Sequence, residues 1–305
     1  MKRTVIQKFL AQVEKYSDRV AALDIQGAIT YRQLNRLSAN LAEQMLDRLG
    51  SRAHRGRVAL LLPRTKTFLI AQIAVLRAGC AVVPIDAEYP AERVQRILKD
   101  ADCGLCITTQ TLVEKAEGFP TLKTDGIEAL EENEITGDET LDLSDLSAEG
   151  CLLFTSGSTG KPKGVIHTVE MFNYPEVLEG RIPLSAQTRT LCIAGFGFVA
   201  SLLDLVTPLC CGGSVYIASE TERKNLELIY HLLSKRQITG MFMPPSMYSV
   251  LRRLHGRLPL AYVLLALVIA HAAISAALTV KSLRVLKRTG AGYFKENLLF
   301  WARRI

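Results

Sequence analysis

The sequence predicts an α/β protein: doubly wound, mostly parallel sheets with flanking helices, and a further apolar helix near the C-terminus. Three observations predict it. Continuous apolar runs of strand length, Arg57 to Leu62 (RVALLL) above all, read as strands buried on both faces. Segments with helical spacing separate these runs, so strand and helix alternate at the pace of βαβ units. Breakers stand at the joints, among them Pro63, Gly79, Pro90 and Gly212-Gly213.

The elements follow in order. Val5 to Lys15 sets Val5, Phe9, Leu10 and Val13 on one side of a helix. Val20 to Leu23 and Ala28 to Thr30 are short strands around Gln26-Gly27. Thr30 can cap the next helix, in which Leu34, Leu37, Leu41, Met45 and Leu49 keep helical spacing until Gly50. After the strand at Arg57, a helix runs from Lys66 to Ala78 and a strand from Ala81 to Ile85. Pro90 opens a helix to Lys99, and Gly104 to Thr108 is a strand. Lys115 to Gly150 is acidic and weakly periodic, and reads as a surface connection. Gly195 to Ser201 leads into a helix through Leu209. Strand Val215 to Ala218, helix Asn225 to Arg236 and strand Gly240 to Met243 complete the repeats. Met243 to Leu254 is a turn into a helix, with Ser246 near its start.

The net charge of +7 over 305 residues is unevenly spread. From Leu251 onward there are ten Lys or Arg and one acid, Glu296, so this tail carries +9 and the first 250 residues carry −2. The main body therefore offers no argument for nucleic-acid binding. Seven cysteines are scattered. Cys103 and Cys106 have CxxC spacing without a second pair at zinc spacing, which favours buried free thiols over a metal site. An odd number of thiols, with no secretory signal at the N-terminus, points to a reducing cytoplasm.

Leu152 to Val165 (LLFTSGSTGKPKGV) carries the chemistry. An apolar strand runs into Thr155, Ser156, Gly157, Ser158, Thr159 and Gly160, then Lys161, Pro162, Lys163 and Gly164. Gly157 and Gly160 let the backbone approach a ligand closely, and successive N–H groups in such a turn form a concavity for anions. Hydroxyls add donors, and Lys161 and Lys163 add positive charge. Pro162 follows the first lysine where a Walker A loop needs Ser or Thr, so this is a different phosphate loop. A solvated Gly/Ser linker would have no need of the apolar strand in front.

The order T-S-G-S-T-G-K-P-K-G resembles the signature loop of the adenylate-forming enzymes: acyl-CoA synthetases, luciferases and the adenylation domains of nonribosomal peptide synthetases. ITYRQLN, near the N-terminus, and LRAGCAVVPID, from Leu76 to Asp86, resemble two further family motifs. The resemblance covers residues 5 to 255, and the amino-acid-activating domains look nearest. It implies an incomplete N-terminal domain of such an enzyme, in which Thr155 to Lys161 and Lys163 hold the β- and γ-phosphates of ATP with Mg2+ offsetting their charge. It implies a carboxylic or amino acid as co-substrate, and CoA or a carrier-protein thiol as acceptor. Alignment with the family's F-D-x-S motif sets Phe198 on its Phe, Ser201 on its Ser and Val199 on the aspartate that binds a substrate α-amino group. A valine cannot pair with an ammonium. Phe198, Val199 and Ser246 are expected near the acyl pocket. His167 stands two residues before the position, Val169, where relatives carry a histidine.

Past Arg257 the family words stop, and residues 256–305 read as an unrelated basic tail behind a partial adenylation domain at residues 1–255. The family's later motifs, including its catalytic lysine, are not found, so little or no activity is expected of this chain. Leu260 to Val280 has no Asp, Glu, Lys or Arg and is long enough to cross a bilayer, with basic residues on both flanks. Three readings stay open: a frameshift or fusion, a membrane anchor, and a buried helix. With them stands a second functional reading, a non-catalytic or membrane-attached remnant that binds nucleotide or another chain.

Overall fold

The computed structural model describes residues 3–50, 56–125, 127, 145–155, 163–173, 184–256 and 262–265. Helix α1 (Val5–Tyr16) opens the fold. Thr4 and Gln7 cap it reciprocally: Thr4 Oγ1 accepts from the Gln7 amide at 3.3 Å, and Gln7 Oε1 accepts from the Thr4 amide at 2.9 Å. Strands β1 (Val20–Asp24) and β2 (Gly27–Thr30) form a hairpin. Thr30 then caps α2 (Tyr31–Leu49) in a second capping box with Gln33, as its position before the leucine stripe predicts.

The βαβ run follows the sequence closely: β3 (Arg57–Leu62), α3 (Lys66–Arg77), β4 (Ala81–Asp86), α4 (Ala91–Asp100) and β5 (Leu105–Thr108). The expected surface connection after Lys115 instead contributes a strand, β6 (Thr121–Lys123), which pairs in parallel with β5. Three residues are too few to leave a periodic signature, and so the strand escaped the sequence reading. Strands β7 (Glu149–Thr155) and β8 (Lys163–Thr168) form an antiparallel hairpin. Beyond them come β9 (Arg189–Cys192), α5 (Val199–Val206), β10 (Ser214–Ile217), α6 (Glu220–Arg223), α7 (Leu226–Lys235), β11 (Gly240–Met243), α8 (Pro245–His255) and β12 (Tyr262–Leu265).

The strands make two six-stranded sheets, ordered β12-β11-β9-β10-β1-β2 (sheet A) and β6-β5-β3-β4-β7-β8 (sheet B). Alternate side chains along each strand point to opposite faces, so both sheets can be buried twice. One core holds Val58, Leu60 and Val82 of sheet B, Ala22, Val215 and Ile217 of sheet A, and apolar residues of α1, α2, α3 and α5 between them. Ala59, Leu61, Val83 and Ile85 pack on α4 beyond sheet B. Leu191, Tyr216, Met241 and Met243 pack with α7 and α8 residues beyond sheet A. Removing each Val, Leu, Ile or Met side chain among them from water contributes roughly 2 kcal/mol.

The tail needs a correction. Of the apolar helix expected at 260–280, only 262–265 are described, and they form strand β12 at the edge of sheet A. A short apolar run satisfies helix and strand equally until an open sheet edge selects one. The rest of that segment lies outside the described residues. Among the described residues, no helix is long and apolar enough to cross a membrane.

Candidate functional site

Parallel pairing collects the strand ends that lead into loops. In sheet B, Leu62 pairs with Asp86, and β7 runs parallel to β4, so the C-terminal ends of β3, β4 and β7 share one edge. In sheet A, Ile217 pairs with Cys192 and β11 runs parallel to β9. Such an edge is where open α/β sheets bind ligands.

The predicted phosphate loop leaves this edge between β7 and β8. Thr155 ends β7, Lys163 begins β8, and the two are paired residues of the hairpin. Thr155 Oγ1 donates to the Lys163 carbonyl at 3.4 Å, and both residues are exposed. Ser156, Gly157, Ser158, Thr159, Gly160 and Lys161 lie outside the described residues. Gly164 has a packing role that the sequence reading did not assign: a Cβ there would stand 3.0 Å from Leu152 Cδ1.

Arg64, just past β3, joins the two sheets at the same edge. Its guanidinium donates to the carbonyls of Ala218 at 2.9 Å, Ala194 at 2.7 Å and Cys192 at 2.9 Å. It also lies 4.4 Å from the Phe196 ring centroid, and Phe196 stacks on Phe68. Asp24, at the end of β1, accepts the Lys66 amide at 2.8 Å. It thereby supplies a carboxylate to the N-terminus of α3, where Thr65 makes no cap. Lys224 bridges Glu88 and Glu220, each at 3.0 Å, and Arg223 also reaches Glu220. Burial pushes the Glu220 carboxyl up, but the hydrogen bonds from Arg223 and Lys224 outweigh it and leave the group below its ordinary range. A cavity of about 110 Å³ sits among Leu62, Arg64, Asp86, Phe196 and Glu220.

The expected acyl-pocket residues lie on the same edge. Phe198 precedes α5 and is 68% exposed, and Val199 is the first residue of the helix. Ser246 is exposed in the first turn of α8, after β11. Ser201 Oγ turns back to the Phe198 carbonyl at 2.7 Å, which fixes this helix start. One turn further, Asp204 is fully buried, accepts the Phe242 amide at 3.3 Å and leaves Oδ2 without a partner. Burial pushes its carboxyl well above the ordinary range.

Sequence reasoning missed Arg64, Asp24 and Asp204. Arg64 left one signal, a lone cation directly after a doubly buried strand. The CxxC residues behave as expected: Cys103 and Cys106 are buried free thiols, pushed up to about 12 by burial. His167 pairs across the hairpin with Cys151, and burial lowers its pKa. Among the described residues, no group of three or more His, Cys, Asp or Glu could hold a metal.

The family model for the AMP-binding enzyme matches residues 9–299. The chain is 29% identical over 248 residues to tyrocidine synthase 1 of Brevibacillus parabrevis, which is 80% of this chain and 22% of that protein. It is 32% identical over 225 residues to the nonribosomal peptide synthetase otaB of Aspergillus niger, 72% of this chain and 12% of that protein. The fold is shared with the nonribosomal peptide synthetase FmoA3 in its AMPPNP-bound form, at a TM-score of 0.74 and 24% identity, covering 83% of this chain and 27% of that one. It is shared too with the N-terminal subdomain of Klebsiella oxytoca NpsA in complex with 3-hydroxybenzoyl-AMSN, at a TM-score of 0.72 and 22% identity, covering 83% and 63%. The chain thus spans a minor part of the synthetases and less than two thirds of the NpsA subdomain. With nearly its whole length matched by the family model, the chain belongs to the AMP-binding enzymes.

Proposed function

We propose that the chain is part of an ATP-dependent carboxylate-activating ligase. In the reaction, a carboxylate oxygen attacks the α-phosphorus of ATP. The bond from that phosphorus to the bridging oxygen breaks and pyrophosphate leaves. A thiol of CoA or a carrier protein then attacks the acyl carbon, losing its proton, and AMP leaves. The observation that carries the reading is the β7–β8 hairpin. It closes at Thr155 and Lys163 on the C-terminal edge of the parallel strands, around the sequence SGSTGKP. In this reading Thr155, Ser156, Gly157, Ser158, Thr159, Gly160, Lys161 and Lys163 hold the β- and γ-phosphates. Mg2+ would offset the charge of those phosphates, needing few protein ligands beside them.

Phe198, Val199 and Ser246 border the acyl group. Val199 has no charge to pair with an α-ammonium, which favours an acid recognised without one. The acid in the NpsA complex, 3-hydroxybenzoyl, is of that kind. The test is calorimetric titration with ATP beside carboxylate-dependent ATP–pyrophosphate exchange. We expect ATP to bind, Lys163→Gln to weaken it about tenfold through a lost charge-assisted contact, and exchange to stay near background. Equal ATP affinity in the variant would overturn the phosphate assignment. Robust exchange would overturn the expectation of low activity.

A further inference from the structure

The opposite, N-terminal edge of sheet A holds a larger cavity, about 400 Å³, that the proposed reaction does not use. That is within the range of small-molecule sites, roughly 300–1,000 Å³. Four cations line it: Arg19 before β1, Arg189 at the start of β9, and Lys235 and Arg236 at the end of α7. Val20, Leu23 and Ile238 give it an apolar wall.

Three of the four cations are held by groups that leave their charge uncancelled. Arg19 donates to the Ala186 carbonyl at 2.6 Å. Arg189 donates to Gln237 Oε1 at 2.7 Å. The Arg236 guanidinium lies 5.1 Å from the Tyr216 ring centroid. No carboxylate among the described residues forms an ion pair with any of the four. Complementing a helix C-terminus accounts for Lys235 and Arg236. It does not account for Arg19 and Arg189, which arrive from two other segments. Guanidinium forks held in place by neutral acceptors suit the oxygens of a phosphate, which takes paired N–H donors. The volume and the apolar wall ask for more than the inorganic ion.

We infer that this cavity binds an organic phosphate, its charged head among Arg19, Arg189, Lys235 and Arg236 and its apolar body against Val20, Leu23 and Ile238. The site is separate from the phosphate loop and stands whether or not the loop binds ATP.

The test is titration of the full chain at low ionic strength with phenyl phosphate and, separately, with inorganic phosphate. Phenyl phosphate is expected to bind more tightly than inorganic phosphate. Lys235→Gln weakens it about tenfold, and adding Arg189→Gln weakens it further. Lys163→Gln, on the other edge, leaves it unchanged. Arg189→Gln also removes the bond to Gln237, so the fold is checked by circular dichroism. If the double variant is unfolded, Lys235→Gln and Arg19→Gln as single variants decide. Absence of phenyl phosphate binding overturns the inference. So does affinity that is indifferent to these variants, or affinity lost with Lys163→Gln.

Discussion

The two edges of sheet A treat charge in opposite ways. At the C-terminal edge Asp24 meets Lys66, Glu88 and Glu220 share Lys224, and Arg64 spends its donors on three carbonyls. At the N-terminal edge Arg19, Arg189, Lys235 and Arg236 face one cavity with no carboxylate partner among the described residues. Sheet B shows that the N-terminal edge is not unpaired by necessity, because there Arg57 makes a two-pronged pair with Glu149 at 2.7 and 2.8 Å. Paired charges close a structure. Fixed, unpaired ones leave interaction energy for something outside it.

The strongest way to break the comparison is at Arg64, only 8% exposed. Arg64→Met keeps the aliphatic stem but strips the donor from the Ala194 and Ala218 carbonyls, while the Cys192 carbonyl keeps the Ala218 amide at 3.2 Å. Leaving buried groups unpaired costs about 1–3 kcal/mol each where no water reaches them. A loss of at least about 2 kcal/mol in urea unfolding is expected. A loss under about 1 kcal/mol would mean that the edge is not held through this side chain.

Arg64 also marks where the sequence stops being legible. The βαβ run from Arg57 to Thr108, the cap at Thr30 and the helix start after Pro244 were readable because their causes are local: spacing, caps and breakers. The partners of Arg64 lie 128 to 154 positions away and are backbone atoms, which have no residue identity to read. Strand β9 (RTLC) is too short and mixed for a period, and only its place between β11 and β10 makes it a strand. The loop was the reverse case: its residue types pointed to phosphate before any geometry did. The basic cavity left no trace, since its four cations are scattered from position 19 to 236 and make no charge run.

Glu149 gives a smaller and pH-dependent effect. The Arg57 hydrogen bonds hold its carboxyl below the ordinary range, against burial. A carboxyl whose folded pKa is depressed adds stability above its unfolded pKa, and that stability fades as pH falls through the folded one. The pair is 26% and 36% exposed, so screening limits it to about 1 kcal/mol. Glu149→Gln should therefore lose about that much at pH 7. The gap to the wild type should narrow as pH drops below the unfolded glutamate value, about 4.3. A gap that stays constant between pH 7 and pH 3 would remove the charge from the explanation.

The finest test uses the sign of a small number. Lys235 ends α7, where a cation complements the helix dipole and a carboxylate opposes it by roughly 0.3–1 kcal/mol. Lys235 also lines the cavity together with Arg19, Arg189 and Arg236, where a carboxylate would turn three repulsions into attractions. At low ionic strength each exposed pair within about 8 Å is worth on the order of 0.5 kcal/mol. Lys235→Glu should thus stabilise the protein by about 1 kcal/mol in dilute buffer. Most of that gain should vanish near 1 M salt, where the screening length is about 3 Å. A net loss in dilute buffer would mean that the helix end outweighs the cavity, and that the four cations stand too far apart to act as one site.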